Sequence, residues 1–292
     1  MRASRAARRA LSTAAAPAVS FVAPPAAPLV FRAPLAGGAA GVEVLALNNA
    51  PVNALSADVL GELAAALRAA AADRGCAALV LASAAGGAGP FSAGLDVREM
   101  AGASEAAFAR FWGAVQDVFL ALWTHPKPVA AALEGAAPAG GCWLALQADH
   151  RVLVDDARAL IGLNETALGI VAPVYFSEPL VRAVGARRAE ELLQLGALLP
   201  PARALATGLV DELAPRGAVL NAAASAAARY AAVPRAARAA TKAALRGALA
   251  ADALGSAEKR AVDLAATWAF MSAKPVQAGL HAYLATLSKK KA

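Results

Sequence analysis

Three short segments of the chain combine glycine with polar or charged residues inside otherwise apolar sequence. They read FSAGLD (residues 91–96), GAAPAGGCWLAL (residues 135–146) and GLNETALGI (residues 162–170). In the third segment, the carboxylate of Glu165 stands among small and apolar residues, where desolvating it costs free energy unless the group is used. Because burial raises the pKa of a carboxyl group, we expect Glu165 to act as a base and then as an acid in proton transfer.

The first two segments can supply backbone hydrogen-bond donors. Gly94 lets the backbone approach a ligand closely, and Ala139, Gly140 and Gly141 are expected to open a helix, whose free N–H groups can hold a negatively charged oxygen. Taken singly, a glycine-rich loop is also typical of an ordinary turn, and Glu165 could be a surface residue. Together, two amide donors and a carboxylate suit chemistry next to a carbonyl, because the donors hold the enolate oxygen while the carboxylate moves a proton.

The sequence around these segments alternates between strand-like and helical patterns from Val42 onward. The apolar runs VEVLALN, CAALVLAS, KPVAAALEG and HRVLVDD, together with the short piece LIGLNE, predict buried strands. Between them, one helix is expected to begin at Ser56, a longer one to run from Ser104 to Trp123, and a third to lie in GGCWLALQAD. This alternation predicts an α/β body.

After Pro200 the pattern becomes mainly helical, with GLVDELA as the one strand-like exception. The sequence therefore predicts a catalytic core over residues 35–200 and a mainly helical C-terminal region over residues 201–292. No repeat of fixed period is visible in the sequence.

The N-terminus has the composition of an organelle-targeting peptide. The first 17 residues contain serine, threonine and four arginines, the first acidic residue of the chain is Glu43, and the segment after these arginines is alanine-rich rather than a continuous apolar block. We therefore predict that residues 1–30 are a transit peptide. The composition is shared by mitochondrial and plastid peptides, so both destinations remain open at this point. The arginines are Arg2, Arg5, Arg8 and Arg9.

The formal net charge of +7 belongs mainly to the two ends of the chain, because the four N-terminal arginines and Lys289, Lys290 and Lys291 supply as much. The body between them is near neutral, so we do not expect nucleic-acid binding, and the lysine run is typical of a solvated tail. Cys76 and Cys142 lack metal-ligand spacing, so we expect reduced structural thiols and no metal site. No segment is apolar enough to predict membrane insertion.

Other polar and aromatic residues have less specific readings. We expect Asp96 to cap a short helix after it, and the three histidines, His125, His150 and His281, to be structural. Among the large aromatic residues Trp143, Trp112, Phe119 and Trp123, core packing is the default, and Trp143 is the strongest candidate for a pocket.

The order FSAGLD, GAAPAGGC, GLNETALGI resembles the crotonase (enoyl-CoA hydratase/isomerase) superfamily, and within it the mitochondrial 3,2-trans-enoyl-CoA isomerase group. The resemblance runs from about Val42 into the C-terminal helices and includes PVNALS and LGALLPPARALATGLVDEL. It implies a spiral of ββα turns followed by a helical trimerisation region, with assembly as trimers or dimers of trimers. It also implies an acyl-CoA substrate, no separate cofactor since coenzyme A is part of that substrate, and a place in the mitochondrial matrix.

The resemblance further implies roles for individual residues. The backbone N–H groups of Ala93 and Gly140 would form an oxyanion hole for the thioester carbonyl, Glu165 would be the acid/base, and Asn164 would lie beside the reacting carbons. The implied substrate-binding residues are Ala93, Gly94, Leu95, Asp96, Val97, Gly140, Trp143 and Asn164. Coenzyme A phosphates need cations, and Arg98, Lys127, Arg187 and the C-terminal lysines are the open candidates.

Position 143 decides which reaction is expected. Hydratases of this superfamily carry a second glutamate in a GGGCE pattern, and this chain has Trp143 at that place in AGGCW. An indole can neither grip nor polarise a water as a carboxylate does. A lone Glu165 suffices to move a proton from C2 to C4 of a 3-enoyl thioester, so the sequence favours double-bond isomerisation of 3-enoyl-CoA to trans-2-enoyl-CoA in unsaturated fatty acid β-oxidation.

Two alternatives stay open at the level of sequence. One is hydration or another crotonase-type reaction of an acyl-CoA, because the oxyanion hole is common to the superfamily. The other is a non-catalytic, RNA-binding relative, which the basic isoelectric point of about 9.8 keeps open. Salt-dependent retention on RNA would distinguish the second alternative from an enzyme.

Overall fold

Ten strands and ten α-helices make up the part of the chain that the computed structural model describes, residues 18–289. The strands are β1 (Val30–Pro34), β2 (Val42–Leu47), β3 (Ala54–Leu55), β4 (Ala78–Ser83), β5 (Gly94–Leu95), β6 (Val129–Leu133), β7 (Ala137–Pro138), β8 (His150–Val154), β9 (Ile161–Gly162) and β10 (Glu212–Ala214). The helices are α1 (Ala57–Ala72), α2 (Glu105–Trp123), α3 (Gly140–Gln147), α4 (Val174–Val184), α5 (Ala186–Leu195), α6 (Pro201–Thr207), α7 (Val219–Ala231), α8 (Arg235–Leu254), α9 (Ala257–Met271) and α10 (Lys274–Lys289).

The main sheet has six strands in the order β1-β2-β4-β6-β8-β10. All its neighbours are parallel except β1 and β2, which pair antiparallel. Every residue of β4 and β6 is buried, as expected for central parallel strands covered on both faces. The short strands form two separate parallel pairs, β3 with β5 and β7 with β9.

The chain repeats one structural unit: a long strand of the main sheet, a short strand of a small pair, and then a helix. The units are β2-β3-α1, β4-β5-α2, β6-β7-α3 and β8-β9-α4. They confirm the predicted α/β spiral of ββα turns, which repeats in structure although the sequence shows no fixed period. Because each short strand follows a long one, each small pair joins the short strands of two successive turns of the spiral.

The helices begin where the sequence predicts. The side chain of Ser56 accepts a hydrogen bond from the Val59 amide and caps α1, and Ser104 caps α2 through the Ala107 amide. The buried face of α2 carries five large aromatic rings. Those rings pack the helix into the apolar core, and they are Phe108, Phe111, Trp112, Phe119 and Trp123.

The predicted boundary at residue 200 does not divide the sheet. Strand β10 pairs with β8, and α7 packs against β4, β6 and β8, so parts of the mainly helical C-terminal region belong to the central body. Helices α8, α9 and α10 follow as a group with many exposed positions. Within the described residues, no helix is both long and apolar enough to cross a membrane.

Much of the predicted transit peptide, residues 1–17, lies outside the described residues. The described part of residues 1–30 already touches the body. The Val19 amide donates to Asn221 Oδ1 at 2.7 Å, Ser20 pairs with Ala36, and the rings of Phe21 and Phe31 lie 6.1 Å apart. The cleavage site itself stays a prediction.

Candidate active site

The two small strand pairs bring the three glycine-rich or acidic segments together. Leu95 lies in β5, Gly140 follows β7 by two residues, and Glu165 follows β9 by three residues. Strands β7 and β9 are parallel, with Pro138 opposite Gly162, and the Ala139 amide donates to the Gly162 carbonyl at 2.8 Å. The chain segments that leave these two strands therefore run side by side, one into α3 and the other into the Glu165 turn.

A network of buried side chains fixes the loop that carries the FSAGLD segment. The Asn53 side chain donates to Ser83 Oγ at 2.8 Å and to the Phe91 carbonyl at 3.0 Å. The Ser92 hydroxyl donates to the Asn53 carbonyl and accepts a hydrogen bond from the Gly94 amide. Sequence reasoning missed the function of Asn53, although its place in PVNALS and its type, which tolerates the observed φ of 48°, were the available signals.

The prediction that the Ala93 amide belongs to the oxyanion hole is wrong, because the Ala93 N–H already donates to the Val52 carbonyl at 2.9 Å. The Asp96 N–H likewise donates to Leu55 across the β3–β5 pair. Ala93 precedes strand β5, whereas Asp96 directly follows Leu95, and neighbouring amides of an extended segment point to opposite sides, so the Leu95 N–H points away from β3. A Cβ placed on Gly140 would lie 2.9 Å from Leu95 N, so Leu95 and Gly140 are the two adjacent amides.

The Gly140 amide opens α3, where the first N–H groups of a helix have no partner within the helix. Ala139, immediately before it, has φ 47° and ψ −121°, a conformation that costs a non-glycine residue of the order of 1–3 kcal/mol. Two hydrogen bonds hold it there: its amide donates to Gly162, and its carbonyl accepts from the Trp143 amide at 2.9 Å. This turn places the first residue of α3, Gly140, next to the Leu95 amide.

Glu165 begins a short 3₁₀ helix, Glu165–Leu168, and only 6% of the residue is exposed. Its Oε2 atom is buried and has no hydrogen-bond partner, and the same is true of Oδ1 of Asn164. Desolvation raises the pKa of Glu165 from its usual 4.5 to about 7. A carboxylate with this pKa is able to take up and release a proton near neutral pH.

A cavity adjoins these groups. Among the residues described, Glu165 is the only carboxylate that lines it, and no Lys, Arg or His side chain does. The remaining lining is mostly apolar, so the cavity suits a hydrocarbon chain with one polar end. The lining residues are Ala93, Leu95, Val97, Met100, Trp112, Pro138, Ala139, Gly140, Asn164, Glu165, Leu168, Ile170, Val171, Pro173, Phe176, Thr267, Phe270, Met271 and Tyr283.

Of the predicted substrate-binding residues, Gly94, Asp96 and Trp143 do not line the cavity, and Ala93, Leu95, Val97, Gly140 and Asn164 do. Gly94 has φ 93°, and a Cβ there would lie 3.0 Å from Gly140 N, so its absent side chain allows the two segments to meet. Asp96 accepts hydrogen bonds from the Arg98 amide and guanidinium, which confirms the predicted helix cap.

Trp143 lies behind the cavity wall rather than in it. The residue is fully buried, and its ring stacks on Phe176 with centroids 4.4 Å apart, while its indole N–H donates to the Tyr175 carbonyl. Phe176 is the ring that reaches the cavity. The prediction of Trp143 as a pocket residue is therefore wrong, because α4 places Phe176 between it and the cavity.

We expect Trp143→Ala to destabilise the protein by about 3–5 kcal/mol, the usual cost of deleting a large buried ring. The loss would be measured from urea unfolding followed by circular dichroism. Leu195→Ala is the control, because Leu195 is 68% exposed and its truncation should cost less than about 0.5 kcal/mol. Equal unfolding free energies for the two variants would show that the Trp143–Phe176 stack carries no stability.

The structure also tests the predictions for two buried basic residues, His125 and Lys127. His125 is buried between the Leu67 and Lys127 carbonyls, and burial lowers its pKa to about 4. Lys127 is fully buried and donates to the carbonyls of Ala70 and Asp73 at the end of α1, which excludes it as a ligand of coenzyme A phosphates.

Sequence reasoning also missed the wall that the C-terminal helices contribute. Thr267, Phe270 and Met271 from α9 and Tyr283 from α10 line the cavity, although they are more than 100 residues away from Glu165 in sequence. Gln277 of α10 joins these helices to the loop after β5, because its side chain accepts from the Gly102 amide and donates to the carbonyls of Met100 and Met271. Nothing in the sequence pattern marks this long-range contact.

Side chains that could bind a metal ion do not cluster in the described part of the chain. No cluster of three or more His, Cys, Asp or Glu side chains that could hold an ion occurs among residues 18–289. Cys76 and Cys142 are both free and buried, and burial raises the pKa of each thiol, so both are held in the neutral form.

Comparison with known proteins places the chain in one family. Residues 37–290 match the family model described as enoyl-CoA hydratase/isomerase. Mitochondrial enoyl-CoA delta isomerase 1 of Homo sapiens is 42% identical over 252 residues, covering 86% of this chain and 82% of the relative. The corresponding protein of Rattus norvegicus is 40% identical over 254 residues, covering 87% and 86%.

The fold agrees with this assignment. The crystal structure of human mitochondrial delta3-delta2-enoyl-CoA isomerase superposes with a TM-score of 0.86 at 42% identity, covering 91% of this chain and all of that one. The chain therefore belongs to the enoyl-CoA hydratase/isomerase family.

Proposed function

We propose that this protein is an enoyl-CoA delta isomerase, which moves the double bond of a cis or trans 3-enoyl-CoA to the trans-2 position in the β-oxidation of unsaturated fatty acids. The observation that carries the proposal is a single cavity carboxylate with a free oxygen, Glu165, beside a pair of adjacent backbone amides, Leu95 and Gly140. The names of the human and rat relatives support the same activity.

The first step is removal of a proton from C2 of the 3-enoyl thioester by Glu165. The electron pair of the broken C–H bond spreads over the thioester oxygen and the C3–C4 double bond, giving a dienolate. Glu165, now protonated, returns the proton to C4, so that a C4–H bond forms, the double bond lies between C2 and C3, and the carbonyl is restored. The atoms and electrons balance without an oxidant, so the reaction as written consumes no redox cofactor.

The amides of Leu95 and Gly140 lower the barrier to the first step. Charge grows on the thioester oxygen as the C2 proton leaves, and two fixed donors bind that oxygen more strongly in the transition state than in the ground state. The burial that raises the pKa of Glu165 to about 7 brings base and acid forms close in free energy, which suits a group that must play both parts.

Hydration needs a second carboxyl group, and none besides Glu165 lines the cavity in the described part of the chain. To add water across a double bond, an enzyme must orient the water and supply a proton, and the position where hydratases carry a second glutamate holds the buried Trp143. Besides Glu165, the polar side chains that line the cavity within residues 18–289 are those of Asn164, Thr267 and Tyr283, and none of them is a second carboxyl group. These features favour isomerisation over hydration.

Purified protein without its N-terminal segment tests the proposal directly. It would receive 3-hexenoyl-CoA and, separately, trans-2-hexenoyl-CoA, and double-bond migration and water addition would be followed in the same preparation. We expect conversion of the 3-enoyl thioester with negligible hydration. Dominant hydration would refute the proposal and would require a second acid/base group.

The pH dependence of the reaction should follow the ionisation of Glu165. Because burial raises this pKa to about 7, the carboxyl group is protonated and inactive as a base below that pH. We expect kcat/KM for 3-hexenoyl-CoA to fall about tenfold per pH unit below pH 7 and to level off above it. Binding of saturated hexanoyl-CoA over the same range is the control, and a flat rate profile from pH 5 to 8 would contradict the assignment.

We also propose that the protein acts in the mitochondrial matrix and assembles as a homotrimer or a dimer of trimers. The mitochondrial relatives and the arginine-rich N-terminus support the location. Import of the full chain into isolated mitochondria, with isolated chloroplasts as the alternative destination, would test it. Light scattering of the purified protein would test the assembly.

A further inference from the structure

One carboxylate outside the reacting centre receives three hydrogen bonds from two other helices. Oδ2 of Asp263, on α9, accepts from Trp112 Nε1 at 2.8 Å, from Gln116 Nε2 at 2.8 Å and from the Tyr175 hydroxyl at 3.1 Å. Trp112 and Gln116 belong to α2, and Tyr175 belongs to α4. A charged acceptor makes each of these bonds stronger than one between neutral groups, so Asp263 joins three helices at one atom.

All three helices joined at Asp263 contribute to the wall of the cavity. The Trp112 ring lines the cavity directly, and Tyr175 immediately precedes the lining residue Phe176. On α9, Thr267 and Met271 follow Asp263 by four and eight residues and therefore lie on the same face of the helix. Movement of Asp263 away from its donors would carry this face of α9 away from the cavity.

The other polar contacts of α9 lie near its start, where Arg260 bonds to Gln116 and Asp117, and at its end, where the Met271 carbonyl accepts from Gln277. The Arg260 guanidinium pairs with Asp117 at 2.6 Å, and the Trp268 ring lies 5.3 Å from Phe108. Much of the outer surface of the helix is exposed, with Val262 at 69%. Asp263 is therefore the polar contact of α9 that couples directly to Trp112, a residue of the cavity wall.

The wall that this contact holds is chemically suited to an alkyl chain. Trp112, Met100, Phe270 and Met271 offer aromatic and thioether surface, whereas a nucleotide or pantetheine group would need donors and charges. A wall held at a fixed distance limits how much hydrocarbon the cavity admits. A wall free to withdraw would lose contact with a short chain and make room for a long one.

We propose that Asp263 is a positioning residue that sets the acyl-chain selectivity of the enzyme, by holding α9 against Trp112 at the apolar wall. The inference rests on the proposed acyl-CoA isomerase function. Asp263 does not line the cavity, so its effect is exerted through the side chains of Trp112, Thr267 and Met271.

The test compares Asp263→Asn with the wild-type protein on acyl chains of two lengths. Asparagine keeps the shape and one acceptor oxygen but removes the charge. Dissociation constants for saturated hexanoyl-CoA and dodecanoyl-CoA would be measured by calorimetry, and kcat and KM for the 3-hexenoyl and 3-dodecenoyl thioesters by absorbance. Asp252→Asn is the matched control, because Asp252 is 82% exposed on α8 and its nearest cation, Lys259, is 4.0 Å away.

We expect Asp263→Asn to shift the ratio of the two dissociation constants toward the long chain by about tenfold, or about 1.4 kcal/mol. The shift should appear in KM for the short substrate, with kcat for that substrate changed by less than about threefold. Gln116→Leu, which removes one of the three donors to Asp263 together with the bonds between Gln116 and Arg260, does not touch the cavity and should shift the ratio in the same direction by a smaller factor. The Asp252→Asn ratio should equal that of the wild type.

An unchanged ratio in folded Asp263→Asn, or an equal loss of affinity for both chains, would overturn the inference. If Asp263→Asn does not fold, the Gln116→Leu ratio decides, since an unchanged value there overturns the inference equally. Failure of the proposed function is a separate result: the wild-type protein would bind the saturated thioesters but isomerise neither unsaturated one. The binding ratios would still test Asp263 in that case.

Discussion

Glu165→Gln protein should fold normally and isomerise 3-hexenoyl-CoA at least about 10³ times more slowly than the wild type, because glutamine can neither take the C2 proton nor return it to C4. Glutamine has the shape of glutamate, so the cavity and the amides of Leu95 and Gly140 should keep their places. The effect should therefore appear in kcat, with little change in the affinity for saturated hexanoyl-CoA. Steady-state kinetics and calorimetry would measure the two quantities.

The matched control for this substitution is Glu134→Gln. Glu134 follows β6, and burial raises its pKa as well, but it lies in a different cleft with Arg216 and does not touch the cavity. We expect wild-type kinetics from it. If Glu165→Gln retained more than about a tenth of the activity, Glu165 would not be the proton carrier, and a second acid/base group would have to be sought.

The stability of Glu165→Gln provides an internal check with a definite sign. The folded pKa of Glu165 is raised above its unfolded value, so the folded state binds the extra proton between about pH 4.5 and 7. Stability from the protonated form is present at low pH and is lost as the pH rises through 7. Removing the charge should therefore raise the free energy of unfolding at pH 8 by up to about 3 kcal/mol, and Tm with it. At pH 4 the substitution should change the free energy of unfolding little.

The sequence predicts the positions of the spiral's elements well because their signals are local. Ser56 and Ser104 cap the helices they were expected to open, and the apolar runs after Val42 form the buried strands of the main sheet. Glu165 is predicted as a buried, functional carboxylate for a similar reason. Its apolar neighbours in sequence are also part of its surroundings in space, where only 6% of the residue remains exposed.

The errors arise where a position depends on strand register or on distant packing. Ala93 and Leu95 are both in FSAGLD, and only the pairing of β5 with β3 decides that the Ala93 amide is consumed while the Leu95 amide points toward Gly140. Trp143 and Trp112 are equally apolar in sequence. Stacking of Phe176 from α4 buries Trp143, whereas Trp112 is held at the cavity wall through Asp263, 151 residues away.

The Gly140→Ala substitution is expected to lower kcat for 3-hexenoyl-CoA by about 10²- to 10³-fold, the usual cost of losing one donor to a developing oxyanion. The added Cβ would lie 2.9 Å from Leu95 N, closer than real Cβ atoms are found, and 3.2 Å from Gly94 Cα, which is also a tight contact. The methyl group would therefore force the two amides apart and fill the space in which the thioester oxygen should sit. Glu165 would remain in place, so the loss would isolate the contribution of the donors from that of the base.

Gly61→Ala is the control for Gly140→Ala, since a Cβ at Gly61 meets no atom within 4 Å and alanine favours the helix α1 in which it lies. It should leave kcat unchanged and raise stability slightly.

The decisive comparison is between rate and binding in Gly140→Ala. A kcat that falls while hexanoyl-CoA affinity changes by less than about tenfold places the lost interaction in the transition state, because losing a donor that bound substrate and dienolate equally would lower affinity and leave kcat unchanged. Wild-type kcat in folded Gly140→Ala would mean that the enolate oxygen is held elsewhere, and the pair formed by Leu95 and Gly140 would lose its assigned function.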